Sequence, residues 1–558
     1  MQINVSGTNA TISASGMNLL RLKSEISNRI GPIAKSGKDF VQIPTSCLHL
    51  IEDLLDDETK GDESVQGILH KYENHSLARQ QAIQNIENSS VANVPNNWLQ
   101  ILDPAQATAV AAMVHPGILG LCLFDEQGSG KTVMTIAAFD SLKENGVIDA
   151  MIVVCPKSML SEWPKDIDRF TNNKYQIVKS EGGKTQKYHS AFKHFDVLIT
   201  NYEGIDVMLT SLIASTGTKK YLLVIDESYY LKNGESVRSD NVGKLRMHCE
   251  CCYVLCGTPA PNSAHDLINQ FDLADLNYTF AGFNKSTNAA NDYDAISELI
   301  ENRGLFIRRL KTEILENVPK KNFQILKVDL INRQAAMYNN ARSDLELELR
   351  TLNNETFKKQ LATYFQRRAA LLQICTCPDA IDPTFSEVPA KYPVLDKLVE
   401  KLIAEKRKLI IWSFYRRSLD QLETRYKNYN PVRVDGSISS AQRKLAVQSF
   451  QENPETMLFL GNPSAAGAGI TLHAAYDAVY VSYSNQAAHY LQSLDRIHRR
   501  GQVSADVNYY LIVCSNTIEE TEVTRLRDKE VRQHHLLGDH IPWPTSLDDA
   551  LLELSGDA

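Results

Sequence analysis

From residue 101 onward, short unbroken apolar runs alternate with stretches of helical periodicity. The runs GLCLF (120–124), AMIVVC (150–155), DVLIT (196–200), YLLVID (221–226) and CYVLCG (252–257) form one series. KLIIWSF (408–414), PVRVDG (431–436), TMLFLG (456–461), DAVYVSY (477–483) and VNYYLIV (507–513) form a second. Strands that are apolar at nearly every position are those buried on both faces, as in parallel sheets covered by helices. The pattern predicts an α/β chain with two parallel-sheet lobes in tandem. Between the two series lie a polar loop, 284–294, and a helical stretch, 333–373. The charges of that stretch (Arg342, Arg350, Lys358, Lys359, Arg367 and Arg368) read as a solvated helix face.

The two ends carry weaker patterns. Leu48, Ile51 and Leu55 predict a helix around 46–55, and the polar run 88–97 reads as a linker. After Arg532 there is no Lys or Arg, while Asp539, Asp548, Asp549, Glu553 and Asp557 accumulate. Ser546 and Asp549 suit a capping box, and Leu547, Ala550, Leu551 and Leu554 share one helical face. Such a helix packs back on its own domain or docks a partner.

Composition narrows the class. The 558 residues are 43% hydrophobic and 23% charged, which is ordinary for a globular protein of several domains. A net charge of −8 argues against a basic coat over the whole surface but permits a local basic groove. The N-terminus has neither the charged nor the apolar region of a secretory leader. The longest apolar stretch, 109–124, is broken by His115 and Pro116 and falls short of the roughly 18 residues a membrane span needs. The expected location is therefore the cytosol of a bacterial or phage-infected host, or the nucleus if the source is eukaryotic. Cys122, Cys155, Cys256 and Cys514 sit in apolar runs, as buried thiols do in a reducing compartment. His248, Cys249, Cys251 and Cys252 lack the distant second C-x-x-C pair of a zinc site and read as a strand entrance.

Three motifs carry chemistry. The first, DEQGSGKT (125–132), follows the first apolar run and precedes a helical one. Gly128 and Gly130 let backbone amides turn toward a phosphate at a helix N-terminus. Lys131 reaches β- and γ-phosphates, and Thr132 ligates Mg²⁺. Asp125 stands where the strict phosphate-loop pattern has its first glycine. In the second motif, the run 221–226 ends in Asp226-Glu227. Alone, that pair reads as the start of a turn. Beside a phosphate loop, Asp226 becomes a Mg²⁺ ligand and Glu227 the carboxylate that orients the attacking water. The third motif is QSLDRIHRRGQ (492–502), which reads as a helix with Gln492, Arg496 and Arg499 on one face. Two forked guanidiniums suit a polyphosphate better than point charges do.

Taken in order, these motifs resemble the Swi/Snf-type branch of superfamily-two helicases, ATP-driven translocases on double-stranded DNA. The resemblance runs from about residue 101 to 527 and includes LDPAQ, LFDEQGSGKT, VVCPKSMLSEW, DVLITNYE, DESYYLKN, LCGTPAPN, FIRRLKTEILENVPKK, VDGSISSAQR and QSLDRIHRRGQ. It implies two RecA-like lobes: 98–325, which binds ATP, and 376–530. A helical insertion, 326–375, separates them. An accessory region, 1–97, and an acidic tail, 531–558, flank them. It implies that ATP is hydrolysed in the cleft between the lobes. Gln106, Gly128, Gly130, Lys131, Thr132 and Gly469 would bind the nucleotide, with Thr132 and Asp226 on Mg²⁺. Glu227, Lys131, Arg496 and Arg499 would act in catalysis. DNA contacts would come from Pro156, Lys157, Ser158, Thr200, Asn201, Tyr202, Ser413, Tyr415 and Arg443, through the backbone and without sequence specificity. The alternatives are a strand-separating or RNA-stimulated helicase and a nucleotide-gated DNA-binding scaffold. A protein partner would use the N-terminal region or the tail helix; no membrane is implied. Departures from the family pattern are Tyr229 for a histidine, Phe414 for a polar residue, and a 462–472 segment that keeps Gly467, Gly469 and Leu472 but lacks Thr-Arg before them. They bear on how hydrolysis is coupled to DNA.

Overall fold

The computed structural model of the chain describes residues 1–260, 263–287, 291–315, 318–466, 470–483, 487–499, 502–531 and 546–555. The chain divides into two compact units, Met1–Ile314 and Leu315–Ala558.

The first unit opens with a small antiparallel sheet of order β1-β2-β4-β3: β1 (Gln2–Ser6), β2 (Asn9–Ser13), β3 (Lys35–Ser36) and β4 (Phe40–Pro44). The helix Gly16–Ile30 covers it, burying Leu22, Ile26 and Ile30 against Ile12, Val41 and Ile43. Residues 46–55 are not the expected α-helix. They form 3₁₀ turns, Thr45–Leu50 and Glu52–Leu54, which still bury Leu48, Ile51 and Leu55. The apolar spacing there suits tight turns that seat side chains on a neighbouring sheet. The 25-residue helix Glu63–Glu87 then ties this region to the rest of the unit. Tyr72 Oη donates to Leu276 O (2.9 Å), Arg79 Nε to Gly304 O (2.7 Å) and Leu119 N–H to His75 Nδ1 (3.0 Å).

The main sheet of this unit contains β5 (Gly120–Leu123), β6 (Ala150–Cys155), β7 (Ile177–Lys179), β8 (Val197–Asn201), β9 (Tyr221–Asp226), β10 (Cys251–Leu255) and β11 (Phe306–Ile307). Its order is β11-β5-β10-β9-β6-β8-β7, with every pair parallel. The continuous apolar runs thus form the predicted parallel strands, and β5, β6, β8, β9 and β10 are buried at every position. Leu123 pairs with Leu255, and Leu255 with Asp226. The ends of β5, β10 and β9 are therefore level, with the first and last about 10 Å apart. Ligands of such sheets bind at the carboxyl ends of the strands where the strand order reverses. Here the chain leaves β5 and returns as β6 on the far side of β10 and β9.

The second unit has its own parallel sheet, of order β12-β17-β16-β13-β15-β14. The strands are β12 (Lys320–Val328), β13 (Leu409–Trp412), β14 (Val432–Val434), β15 (Leu458–Gly461), β16 (Asp477–Tyr480) and β17 (Asp506–Cys514). β12 was not legible as a strand. Its mostly exposed and half-buried positions suit its place at the end of the sheet order, and it spans residues 325 and 326. The helices Asn332–Arg350, Asn354–Lys359 and Leu361–Thr376 follow it.

Two expectations change in this unit. Arg368 is not part of a solvated face: it is 2% exposed. Its guanidinium grips Glu553 through Nε (2.9 Å) and Nη2 (2.8 Å) and also reaches Glu522 (2.7 Å). Tyr364 Oη donates to the same Glu553 carboxylate at 2.7 Å, and Arg525 lies 3.3 Å from it. The tail helix, Leu547–Ser555, carries the predicted Ser546/Asp549 cap and buries Ala550 and Leu554 in the unit's core. Its apolar face is occupied, which removes the partner-docking reading of that helix.

Removing one member of a buried, paired charge cluster leaves its partners uncompensated, at a cost of about 3–5 kcal/mol. Glu553→Ala is therefore expected to lower the thermal unfolding midpoint of the second unit by roughly 10 °C. Asp548→Asn, on the exposed side of the same helix, should leave it unchanged. Differential scanning calorimetry of the full chain checks both.

Candidate active site

The loop after β5 reaches the helix Lys131–Glu144 through two left-handed glycines, Gly128 (φ 82°) and Gly130 (φ 92°). The backbone angle favours glycine at 130, where a Cβ would also lie 2.4 Å from Gln106 Nε2. A loop of this shape entering a helix N-terminus aims backbone N–H groups at an anion. Lys131, the first helical residue, arches back over the loop and donates to Asp125 O (2.7 Å) and Glu126 O (3.2 Å). Gln106 is buried beside it. Its Oε1 accepts from Asp103 N (3.0 Å), capping the helix Pro104–Met113, and its Nε2 donates to Ser129 O (2.8 Å). The structure thus places Gln106 as an anchor of the loop backbone.

Asp125 departs from the strict pattern without opposing a polyphosphate. It is fully buried and gripped by Arg309, with Nε 3.1 Å from Oδ1 and Nη2 2.6 Å from Oδ2. Arg309 Nη1 also reaches Ala105 O at 2.6 Å. Its neighbour Arg308 donates to Phe124 O and Gly257 O, the latter at 2.8 Å. Lys311 N–H donates to Glu126 Oε2 at 2.9 Å. Sequence reasoning did not assign these residues to the site. The signal was a pair of acidic residues inside a phosphate loop, with RRLK at 308–311 to balance them.

The acidic pair stands level with this loop. Asp226 ends β9, and its Oδ2 accepts the Trp163 indole N–H at 2.9 Å. Burial pushes the Asp226 carboxyl above its ordinary value, while the Trp163 hydrogen bond and the Lys131 charge pull it back. Glu227 holds a left-handed backbone (φ 54°, ψ 53°), a conformation uncommon for a non-glycine residue. Tyr202 Oη fastens this turn by donating to Asp226 O (2.5 Å) and Glu227 O (3.2 Å). Across from it, Gln127 Nε2 in the loop donates to Glu227 Oε1 at 2.8 Å. Ser129 Oγ and Thr258 Oγ1 are buried without a hydrogen-bond partner among the described residues. The loop hydroxyl of Ser129, Lys131, the half-buried Thr132 and the buried Asp226 carboxylate make a donor set that fits a phosphate carrying a hard, oxygen-loving cation.

In the second unit the helix Ala487–Leu494 ends before the arginines. Residues 495–499 are turns and bends rather than the predicted helix. Tertiary anchors account for this: Ile497 is fully buried and His498 Nε2 meets Pro319 O at 2.9 Å. Arg496 and Arg499 are nevertheless brought together. Arg496 reaches Gln492 O (2.8 Å) and Ile470 O (2.9 Å). Arg499 reaches Thr471 Oγ1 (2.7 Å) and Ile470 O (3.3 Å). Gly467 and Gly469, just before that segment, lie outside the described residues.

The candidate DNA contacts separate by exposure. Lys157 is exposed, and Ser158, Tyr415 and Arg443 are half-buried. Pro156, Thr200, Asn201, Tyr202 and Ser413 are buried, because they lie at or just beyond the ends of covered strands. Asn201 Oδ1 accepts from Lys187 Nζ (2.9 Å), and Ser413 Oγ meets Ser482 Oγ (3.1 Å). Tyr229 stacks on Tyr230 with centroids 4.4 Å apart, and Phe414 N–H donates to Ser482 Oγ at 2.7 Å. Cys249, Cys251 and Cys252 are buried thiols, and burial pushes Cys249 and Cys252 up to about 12. No helix among the described residues is long and apolar enough to cross a membrane.

Comparison with known proteins follows the same lines. A family model described as an SNF2-related domain matches residues 65–380, more than half of the chain. A helicase conserved C-terminal domain matches residues 390–501. The CHD3-type chromatin-remodeling factor CHR7 of Arabidopsis thaliana is 28% identical over 465 residues, 77% of this chain and 37% of the relative. The ISWI chromatin-remodeling complex ATPase ISW1 of Saccharomyces cerevisiae is 29% identical over 463 residues, 77% of this chain and 40% of the relative. The chain thus spans well under half the length of these curated relatives. A solved SWI2/SNF2 ATPase core of Sulfolobus solfataricus, in complex with dsDNA, is 22% identical and covers 81% of this chain and 97% of its own, with a TM-score of 0.36.

Proposed function

The chain belongs to the SNF2-related family, and from that premise we propose that it hydrolyses ATP with Mg²⁺ and uses the energy to step along duplex DNA. The observation that carries this reading is the phosphate loop and the Asp226-Glu227 pair, level on one sheet edge and joined by the Gln127–Glu227 hydrogen bond. Lys131 and the loop amides hold the β- and γ-phosphates. Thr132 and Asp226 would hold Mg²⁺, which would supply charge neutralisation at those phosphates. Glu227 orients the attacking water toward the γ-phosphorus and takes its proton. Arg496 and Arg499 neutralise the charge that develops in the transition state.

DNA contacts go to the phosphate backbone, with Lys157 as an exposed cation of the first unit. Such contacts set position and read no sequence, so binding weakens steeply with salt. DNA stimulates hydrolysis by binding the closed arrangement more tightly than the open one. Tyr202 supports this coupling: it lies in a segment read as DNA-contacting and holds both carbonyls of the acidic pair.

The test is ATP hydrolysis without nucleic acid, with single-stranded DNA, with blunt duplex DNA and with duplex RNA. Duplex DNA is expected to stimulate strongly and the others weakly. Equal or greater stimulation by single strands or RNA would replace the translocase by a helicase. A chain that binds DNA but does not turn over ATP would be a nucleotide-gated scaffold.

A further inference from the structure

We propose that Gln127 is a positioning residue for hydrolysis, holding the Glu227 carboxylate against the phosphate loop. The proposal deepens the reading above and rests on it: Glu227 must be the residue that orients water. Gln127 is the third residue of the loop, directly before the left-handed Gly128. It is 7% exposed, and its amide donates to Glu227 Oε1 at 2.8 Å. A hydrogen bond to an ionised acceptor is shorter and about twice as strong as a neutral one. This one spans 100 residues of sequence and joins the two motifs whose mutual distance hydrolysis depends on.

The surroundings are built for this contact. Gly257, in the LCGTP motif, is where room is made for the side chain: a Cβ there would lie 2.4 Å from Gln127 Cγ. Arg308 holds Gly257 in place through its carbonyl at 2.8 Å. On the other side Tyr202 fixes the backbone of Glu227. With the main chain fastened and one carboxylate oxygen engaged, the remaining freedom of the Glu227 side chain is small. Leucine, an apolar residue of similar bulk, would occupy the space but remove this hydrogen bond to the carboxylate. Misplacing a reacting group by about 1 Å can cost roughly a hundredfold in rate.

The experiment measures kcat and KM for ATP, with duplex DNA present, in the wild type, Gln127→Leu, Gln127→Glu, Glu227→Gln and the Gln127→Leu/Glu227→Gln double variant. Binding of a fluorescent ADP is measured alongside. Gln127→Leu is expected to lower kcat about tenfold or more, with KM and ADP affinity within about twofold of wild type. Gln127→Glu, which sets a negative charge against Glu227, should lose more. In the Glu227→Gln background Gln127→Leu should cost nothing further, because residues acting as one unit are not additive.

An active wild type with an unchanged kcat in Gln127→Leu overturns the proposal alone. So does a loss that adds to that of Glu227→Gln, or one in which ADP affinity falls in step with kcat in both Gln127 variants. A wild type that turns over no ATP in any condition overturns the hydrolysis reading and this proposal with it.

Discussion

Replacing Arg499 by alanine is expected to leave ATP binding nearly intact and to lower turnover by about a thousandfold or more. Arg499 is held by Thr471 Oγ1 and Ile470 O of its own unit, beside Arg496 on the same carbonyl. The side chain is half-buried and is not part of the apolar core, so alanine removes a guanidinium without emptying a cavity. On the proposed mechanism, nucleotide binding draws on the phosphate loop and persists, and what disappears is charge neutralisation at the γ-phosphoryl group in the transition state. Arg499→Lys should recover little of it, because a point charge does not replace a planar fork. Binding of a fluorescent ATP analogue, measured together with DNA-stimulated hydrolysis, separates the two effects. Hydrolysis at the wild-type rate in Arg499→Ala would take the arginine out of the catalytic machinery.

Lys131→Ala should act on both binding and turnover. The ammonium lies 2.7 Å from Asp125 O and 3.2 Å from Glu126 O, over the loop proposed to receive the phosphates. A charged hydrogen bond of this kind contributes about 1.5–3 kcal/mol, which corresponds to roughly 10- to 100-fold weaker nucleotide binding when it is lost. Its effect on turnover should be larger, about 100- to 1,000-fold or more, because the charge it faces grows in the transition state. Its hydrogen bonds to the chain go to loop carbonyls, so the fold should survive. An unfolding curve superimposable on that of the wild type, with turnover lost, is the expected pair of results. Turnover that persists would mean that the nucleotide phosphates lie elsewhere.

Legibility varied along the chain for identifiable reasons. β5, β6, β8, β9 and β10 were visible because a strand covered on both faces must be apolar throughout. β1 and β2, QINVS and NATIS, were not: they belong to a thin sheet with one wet face, and Asn, Ser and Thr dilute their alternation. The Asn332–Arg350 and Leu361–Thr376 helices were foreseen as charged helices, yet Arg368 proved to be internal. Nothing local distinguishes it from Arg367, one residue earlier and half exposed. The helix predicted over 492–502 stopped at Leu494 because burial of Ile497 and the His498–Pro319 contact outweigh a favourable local run.

What the amino-acid order alone determined is therefore what fully covered strands and short motifs write in consecutive residues. The two series of strands, the loop DEQGSGKT and the acidic pair at the end of β9 follow from short-range pattern, because burial of a strand and the turn of a glycine loop into a helix are local demands. The tertiary structure alone decided which distant side chains meet. Arg309 on Asp125, Trp163 on Asp226, Gln127 on Glu227 and Arg368 on Glu553 join residues 63 to 185 positions apart. Strand register and packing create these encounters, and no periodicity in the chain records them. Each of these contacts places a polar or charged group beside a carboxylate in a buried setting, where an unmatched charge is costly. The sequence shows the charges; only the fold shows that they are paired.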